Sequence, residues 1–308
     1  MKQLVVIGGA TASGKSALAL QLARALKNRG VAAEILCADS ITVYRGFEIG
    51  AAKPSAEERD EFPHHLLDLA EPEQSFTAAD FVAHSAPIVD QLLAVGKVPI
   101  LAGGSGFYLR ALLRGMAGPE ENQEKAAALK LEIEERGRRE GFGILHSELL
   151  RRDPGSAGTV HPNDHYRIVR ALQAMELSGK SWSELNAAAR KTPSRYPFRF
   201  FRVELSKEDL RARVAARTSA MIEAGLIAEV ESLLARGVSA EAKPMQSVGY
   251  KEAVEFLRGG FSRPELSEKI TLATMKLAKS QNTWFKGEEL SEPLPLPHWE
   301  NLKAQLFS

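Results

Sequence analysis

The stretch Gly9-Ala10-Thr11-Ala12-Ser13-Gly14-Lys15-Ser16 decides the fold. It has the spacing GxxxxGK[ST] and directly follows the apolar run Leu4-Val5-Val6-Ile7-Gly8, so a strand enters the loop and a helix leaves it. In that setting the glycines let backbone N–H groups turn inward around a polyphosphate. Lys15 adds a point charge, and the Ser16 hydroxyl is placed to reach a magnesium ion. The helix shows in Leu18, Leu22, Ala25 and Leu26, which recur at i, i+4, i+7 and i+8 and leave Gln21, Arg24 and Lys27 facing outward. The loop implies a ligand with two or more phosphates and is compatible with nucleotides and other diphosphates alike.

Further along, Ala33 to Ala38 and Val98 to Ala102 read as strands, with Pro99 tolerable near a strand start or at a sheet edge. Alternation with helices predicts an α/β fold, a P-loop NTPase-like parallel sheet flanked by helices. Ligands in such sheets gather beyond the carboxyl ends of the strands. There the phosphate loop, Asp39-Ser40 and Gly103-Gly104-Ser105-Gly106 converge. From about Gly115 the character changes: Gly115, Gly118 and Pro119 precede a charged helical stretch from Glu120 to Glu140, and helical patterns continue at 145–150 and 166–177. The reading is a helical insertion over 115–197 within a core made of 1–114 and 198–308. The core resumes with a strand at 198–205 and helices at 207–224, 226–235 and 266–285. The tail, with Pro293, Pro295 and Pro297, reads as irregular.

Composition bounds the rest. The 308 residues are 44% hydrophobic and 26% charged, which excludes wholesale disorder, and the net charge is +1. A nucleic-acid partner would therefore need basic residues gathered on one surface. The one cysteine, Cys37, excludes an intrachain disulfide and reads as core packing. The N-terminal apolar run is too short for a signal peptide, and no stretch approaches the roughly 20 apolar residues of a membrane helix. A cytoplasmic location without membrane contact is expected.

Several residues can carry chemistry. Asp39 ends a strand at the cleft, where it would hold magnesium in a nucleotidase or accept a proton in a transferase; position alone does not choose. Ser105 offers a hydroxyl in a glycine-rich turn. Arg213 and Arg217 share a helix face, from which an arginine can neutralise charge on a departing diphosphate. Lys269, Lys276, Lys279 and Lys286 form a stripe that can track a phosphate backbone or face solvent, with Ile270, Ala273, Leu277 and Trp284 on another face. His64 and His65 are adjacent and so do not present two metal ligands from one helix face.

The order of these motifs resembles one family. GATASGKS at 9–16, ADSITVYRGFEIGAAKP at 38–54, PHHLLD at 63–68, AGGSGFY at 102–108, HPND at 161–164 and QNTWFKG at 281–287 are together similar to the bacterial tRNA dimethylallyltransferases. The resemblance spans nearly the whole chain. It implies that Gly9 to Ser16 cradle dimethylallyl diphosphate, with Mg2+ at Ser16, and that the acceptor is the N6 amine of adenosine 37 of tRNA. It implies catalytic roles for Asp39 as general base and for Ser105 and Arg217 on the leaving group. It also implies tRNA contacts at Ser40, Thr42, Tyr44, Lys276 and Lys279, an insertion that contacts tRNA, and a monomer. Ser105 and Ala51 stand where the family usually has threonine, Thr42 where many members have glutamine, and Met275 and Ser280 where arginine is frequent. The competing readings are a small-molecule kinase using ATP and a nucleotide-gated RNA-binding protein. A kinase would need an adenine-binding region and a lid, whereas the inserted segment is long, helical and carries Arg136, Arg138, Arg139, Arg151 and Arg152.

Overall fold

The computed structural model describes residues 3–115, 123–156 and 158–307. Gly118, Pro119 and Glu120, read as the start of the insertion, lie outside them. Two compact units result, one from residues 1–113 with 196–308 and one from 114–195.

The first unit runs β1 (Leu4–Gly9), α1 (Lys15–Lys27), β2 (Ala33–Cys37), α2 (Ala56–Glu61), β3 (His64–His65), α3 (Ala78–Ala94), β4 (Val98–Gly103) and α4 (Gly106–Arg114, whose last residue falls in the second unit). The second unit holds α5 (Gln123–Glu140), α6 (Phe142–Arg152), α7 (His165–Ser178) and α8 (Trp182–Lys191). The first then resumes with β5 (Phe198–Val203), α9 (Lys207–Glu223), α10 (Leu226–Ala235), α11 (Tyr250–Leu257), α12 (Arg263–Lys286), β6 (Glu292–Leu294) and α13 (His298–Phe307).

The six strands pair in the order β3-β2-β4-β1-β5-β6, all parallel. Strands buried on both faces explain the unbroken apolar runs of β1 and β4. Val5 and Ile7 of β1 share one core cluster with Leu18, Leu22 and Leu26 of α1 and with Phe201 of β5. Because side chains alternate along a strand, Phe200 points to the opposite face, where its ring meets Phe285 of α12 edge-on at 6.2 Å. Pro99 is the second residue of a central strand, near its start. Helix α3, not read from the sequence, is fixed by a capping box in which the Thr77 hydroxyl and the Asp80 carboxylate satisfy each other's backbone amides.

The tail is not irregular. Pro293 sits in β6, an edge strand pairing only with β5, so its missing N–H costs no ladder bond. Beyond it α13 brings Leu302, fully buried, onto the α1 face of the sheet. In α12 the core face is Leu266, Ile270, Ala278 and Phe285, while Leu277, read as apolar-facing, is 40% exposed.

The second unit has its own core of Ile133, Leu145, Leu149, Ile168, Leu172 and Met175. Its arginines are largely paired within the unit: Arg136 with Glu148, Arg138 with Glu134, Arg139 with Glu140, and Arg152 with Glu148 and Glu176. Several of these arginines thus have glutamate partners, while Arg138, Arg139, Arg151 and Arg152 remain exposed. Among the described residues no helix is long and apolar enough to cross a membrane.

If the tail belongs to the core, Leu302→Ala should cost about 2–5 kcal/mol, the usual range for such cavities. Urea unfolding should show a lower midpoint with an unchanged slope, and a midpoint equal to wild type would place α13 outside the cooperative unit.

Candidate active site

The cradle begins where β1 ends. Ala12 at φ +59° and Gly14 at φ +95° turn the chain so that α1 starts at Lys15. Glycine adopts this conformation freely, whereas Ala12 carries strain of about 1–2 kcal/mol. Gly14 caps α1 without a side-chain bond, and α1 has no acidic residue in its first turn. Its leading amides and the positive end of its dipole are therefore left for an anion.

Cations crowd this end. Lys15 Nζ donates to the Ala10 carbonyl at 2.7 Å. Burial, then repulsion from Arg217, depress its pKa to about 8, against the opposing pull of Asp39. From α9, Arg217 Nη1 donates to the Thr11 hydroxyl at 3.3 Å and Arg213 Nη1 to the Ser13 carbonyl at 3.2 Å. Burial also lowers the Arg217 pKa, with Asp39 acting against it; a guanidinium keeps its charge regardless. The hydrogen bonds of these cations go to neutral oxygens.

Asp39 follows β2. Its Oδ1 accepts the Ile41 N–H at 2.8 Å, an Asx turn that fixes the carboxylate and leaves the second oxygen for a ligand. The ends of β2 and β4 nearly touch, since a Cβ on Gly103 would lie 1.9 Å from the Ala38 carbonyl oxygen. That same carbonyl accepts the Ser105 N–H at 3.2 Å, tying the glycine loop to the residue before Asp39.

A cavity of about 1170 Å3 opens here, with Thr11, Ala12, Gly14, Lys15, Ser16, Asp39, Thr42, Gly104, Arg213 and Arg217 in its walls. Pockets for one small ligand hold about 300–1,000 Å3, so two reactants have room. Leu20, Ile35, Ile49, Ala220 and Met221 give it an apolar part. Cys37 is half-buried in the wall rather than in the core, and burial pushes its thiol up to about 12.

The remaining candidates are placed differently. Gly9, Ala10 and Ser13 are buried behind the loop and shape it. Ser40 and Ser105 flank the cavity without lining it, while Lys276 and Lys279 are exposed on α12. Tyr44 does not fit its expected place at an RNA surface: it is fully buried, packed edge-on against Phe47, which in turn meets Tyr250 at 4.8 Å. A ring without exposed surface cannot stack on a base.

Sequence reasoning missed two devices. Glu229 accepts the backbone N–H groups of Glu48, Ile49 and Gly50 and the Tyr250 hydroxyl, holding the wall that contains Ile49. Gln281 accepts the Thr11 N–H at 2.8 Å and donates to the Gly104 carbonyl at 3.1 Å. The QNTWFKG motif marked the second; nothing local marked the first.

Such a site belongs to enzymes that bind a polyphosphate and move a group from it. Comparison with known proteins narrows the class. A family model described as IPP transferase matches residues 42–288. The tRNA dimethylallyltransferase 1 of Trichlorobacter lovleyi is 43% identical over 296 residues, covering 96% of this chain and 94% of that one. The solved tRNA isopentenylpyrophosphate transferase of Staphylococcus epidermidis is 32% identical with a TM-score of 0.69, covering 98% of each chain. A eukaryotic dimethylallyltransferase, captured acting on tRNA, is 25% identical with a TM-score of 0.79, covering 99% of this chain and 77% of that one. The chain belongs to the IPP transferase family. It is a transferase enzyme on a P-loop NTPase-like sheet, and neither the kinase nor the RNA-switch reading is favoured by these relatives.

The depressed Lys15 pKa gives the site a pH dependence. An anion favours protonated Lys15 and raises its pKa in the complex. The ratio of wild-type to Lys15→Met affinity for inorganic pyrophosphate, in which the ligand's own ionisation cancels, should therefore be steady below about pH 8 and fall, by at most tenfold per unit, above it. Calorimetry across pH 6.5–9.5 in buffers of different ionisation heat should also show proton uptake near pH 8 that is absent in Lys15→Met.

Proposed function

We propose that this enzyme transfers a dimethylallyl group from dimethylallyl diphosphate to the exocyclic N6 amine of adenosine 37, beside the anticodon of tRNA, releasing diphosphate. One observation carries the reading: an uncapped, cation-ringed helix end faces the same cavity as a carboxylate with an uncommitted oxygen. The first suits the leaving diphosphate and the second the attacking amine.

In this reading the α1 amides, Lys15 and Arg217 hold the diphosphate, and the five-carbon chain lies against the apolar wall. The adenine, flipped out of its stack, enters from the other side. The N6 lone pair is delocalised into the purine and is a poor nucleophile, so a base that accepts its proton helps. Asp39 Oδ1 is occupied by Ile41, and the second oxygen takes that proton as the N–C bond forms and the allylic C–O bond breaks. Negative charge grows on the diphosphate, where Lys15 and Arg217 in the cavity wall stabilise it at about 2.7–4 kcal/mol for a strong contact, and Ser105, at the cavity's edge, is assigned the same part.

The residues also fit magnesium. Among the described residues no three His, Cys, Asp or Glu side chains cluster as a cage. The exposed Ser16 hydroxyl beside the cradle suits instead an ion held mostly by substrate phosphate and water. Ser16 would hold it, and the ion would supply charge neutralisation for the diphosphate. The tRNA surface is assigned to Ser40, Thr42, Lys276 and Lys279. Thr42 lines the cavity with its hydroxyl buried and unpartnered, so it waits for a ligand atom.

Incubation with dimethylallyl diphosphate and unmodified tRNA, followed by nucleoside mass analysis, should give N6-dimethylallyladenosine without ATP consumption. Asp39→Asn should lower kcat about 100- to 10,000-fold while both substrates still bind. Restoration of that rate by excess magnesium alone would reassign Asp39 to metal holding.

The RNA surface has a separate test. Neutralising Lys276 and Lys279 together should flatten the dependence of log tRNA affinity on log salt by about two contacts' worth and leave donor binding unchanged. An unaltered slope would make this stripe a solvated face.

A further inference from the structure

Three glycines around the cradle are covered by one helix. A Cβ on Gly8 would lie 2.5 Å from the Phe285 ring, on Gly104 2.6 Å from Gln281 Nε2, and on Gly106 2.2 Å from the Trp284 ring. Real side chains do not pack that tightly. The last turns of α12 thus dock where β1, the loop after β4 and the start of α4 have no side chain.

Gln281 uses this approach to join two loops. Its partners set its orientation, because an N–H requires the amide oxygen and a carbonyl requires the amide nitrogen. A flipped amide would lose both bonds. Thr11, held by its N–H, is also the residue whose hydroxyl accepts from Arg217, so a chain runs from Gln281 through Thr11 to the guanidinium. At its other end Gln281 holds Gly104, next to Ser105. The two groups assigned to the leaving diphosphate stand on loops that leave paired strands, with Gly8 opposite Gly103, and one side chain links those loops just beyond the pairing.

We propose that Gln281 is a positioning residue, a two-ended amide bridge that sets the spacing between the phosphate loop with Arg217 and the glycine loop with Ser105. It acts on the reaction through Thr11 and Gly104. The inference rests on the proposed reading of the cavity as the diphosphate site.

The test uses Gln281→Met, which keeps the bulk and loses both bonds, and Gly104→Ala, whose Cβ displaces the Gln281 amide. Inorganic pyrophosphate binding, kcat and KM for transfer, tRNA affinity and the thermal midpoint are measured for each single variant and for the double. Each single variant should lower kcat at saturating substrates up to about 100-fold, as misplacement by an ångström does. Pyrophosphate affinity should fall several-fold, and tRNA affinity should stay within twofold of wild type. The double variant should lose no more than the worse single one, since both cut the same bridge. Additive losses would overturn the proposal. So would a lowered thermal midpoint with kcat per folded molecule within twofold of wild type, which would make Gln281 a structural staple. If the wild-type enzyme transfers no dimethylallyl group, the reaction reading fails, and pyrophosphate binding alone still decides the bridge.

Discussion

Positive charge without a protein counter-charge is the constraint around which the first unit is organised. Helix α1 leaves its leading amides uncapped, Lys15 and Arg217 repel each other across the loop, and Asp39 offsets both only at a distance. Such an arrangement stores unfavourable energy that an anionic ligand releases on binding. The rest of the unit restrains it. A parallel sheet buried on both faces anchors β1, and side chains from α9 and α12, which pack together beside Ala10, fasten the loop.

The carboxyl-end geometry of the sheet turns this strained corner into a two-substrate site. Because β2 and β4 approach within what no side chain allows at Gly103, Asp39 and Ser105 are held on adjoining segments next to the cradle. The wall at Ile49 is not part of any regular element. Glu229 and Tyr250 satisfy its backbone amides and so hold it without strand or helix pairing. Half-buried polar groups such as Glu229 and Gln281 thus hold the loops, while the apolar core holds the sheet.

What could be read from the sequence was what is local. The strand, loop and helix from Leu4 to Lys27 announce themselves because spacing and glycines act within a few residues of one another. Asp39 is visible because it ends an apolar strand, and Arg217 because a helix repeats every three to four residues. Tyr44 was misread because its surroundings, Phe47 and Tyr250, come together only in the folded chain. The tail was misread because three prolines outweigh one leucine in a linear reading, although an edge strand has no use for the missing N–H. The arginines of the insertion were legible in the sequence, but the glutamates that the fold sets beside several of them were not.

The bond between Thr11 and Gln281 joins residues 270 positions apart. On a ribosome the phosphate loop emerges well before its fastening. While the residues between them are made, the anion-binding loop has a partner that does not yet exist. Pairing so distant in sequence also carries a loop-closure entropy that local contacts do not. The loop is made before its fastening, so a chain released between the two would retain the fingerprint of the enzyme without its assembled centre.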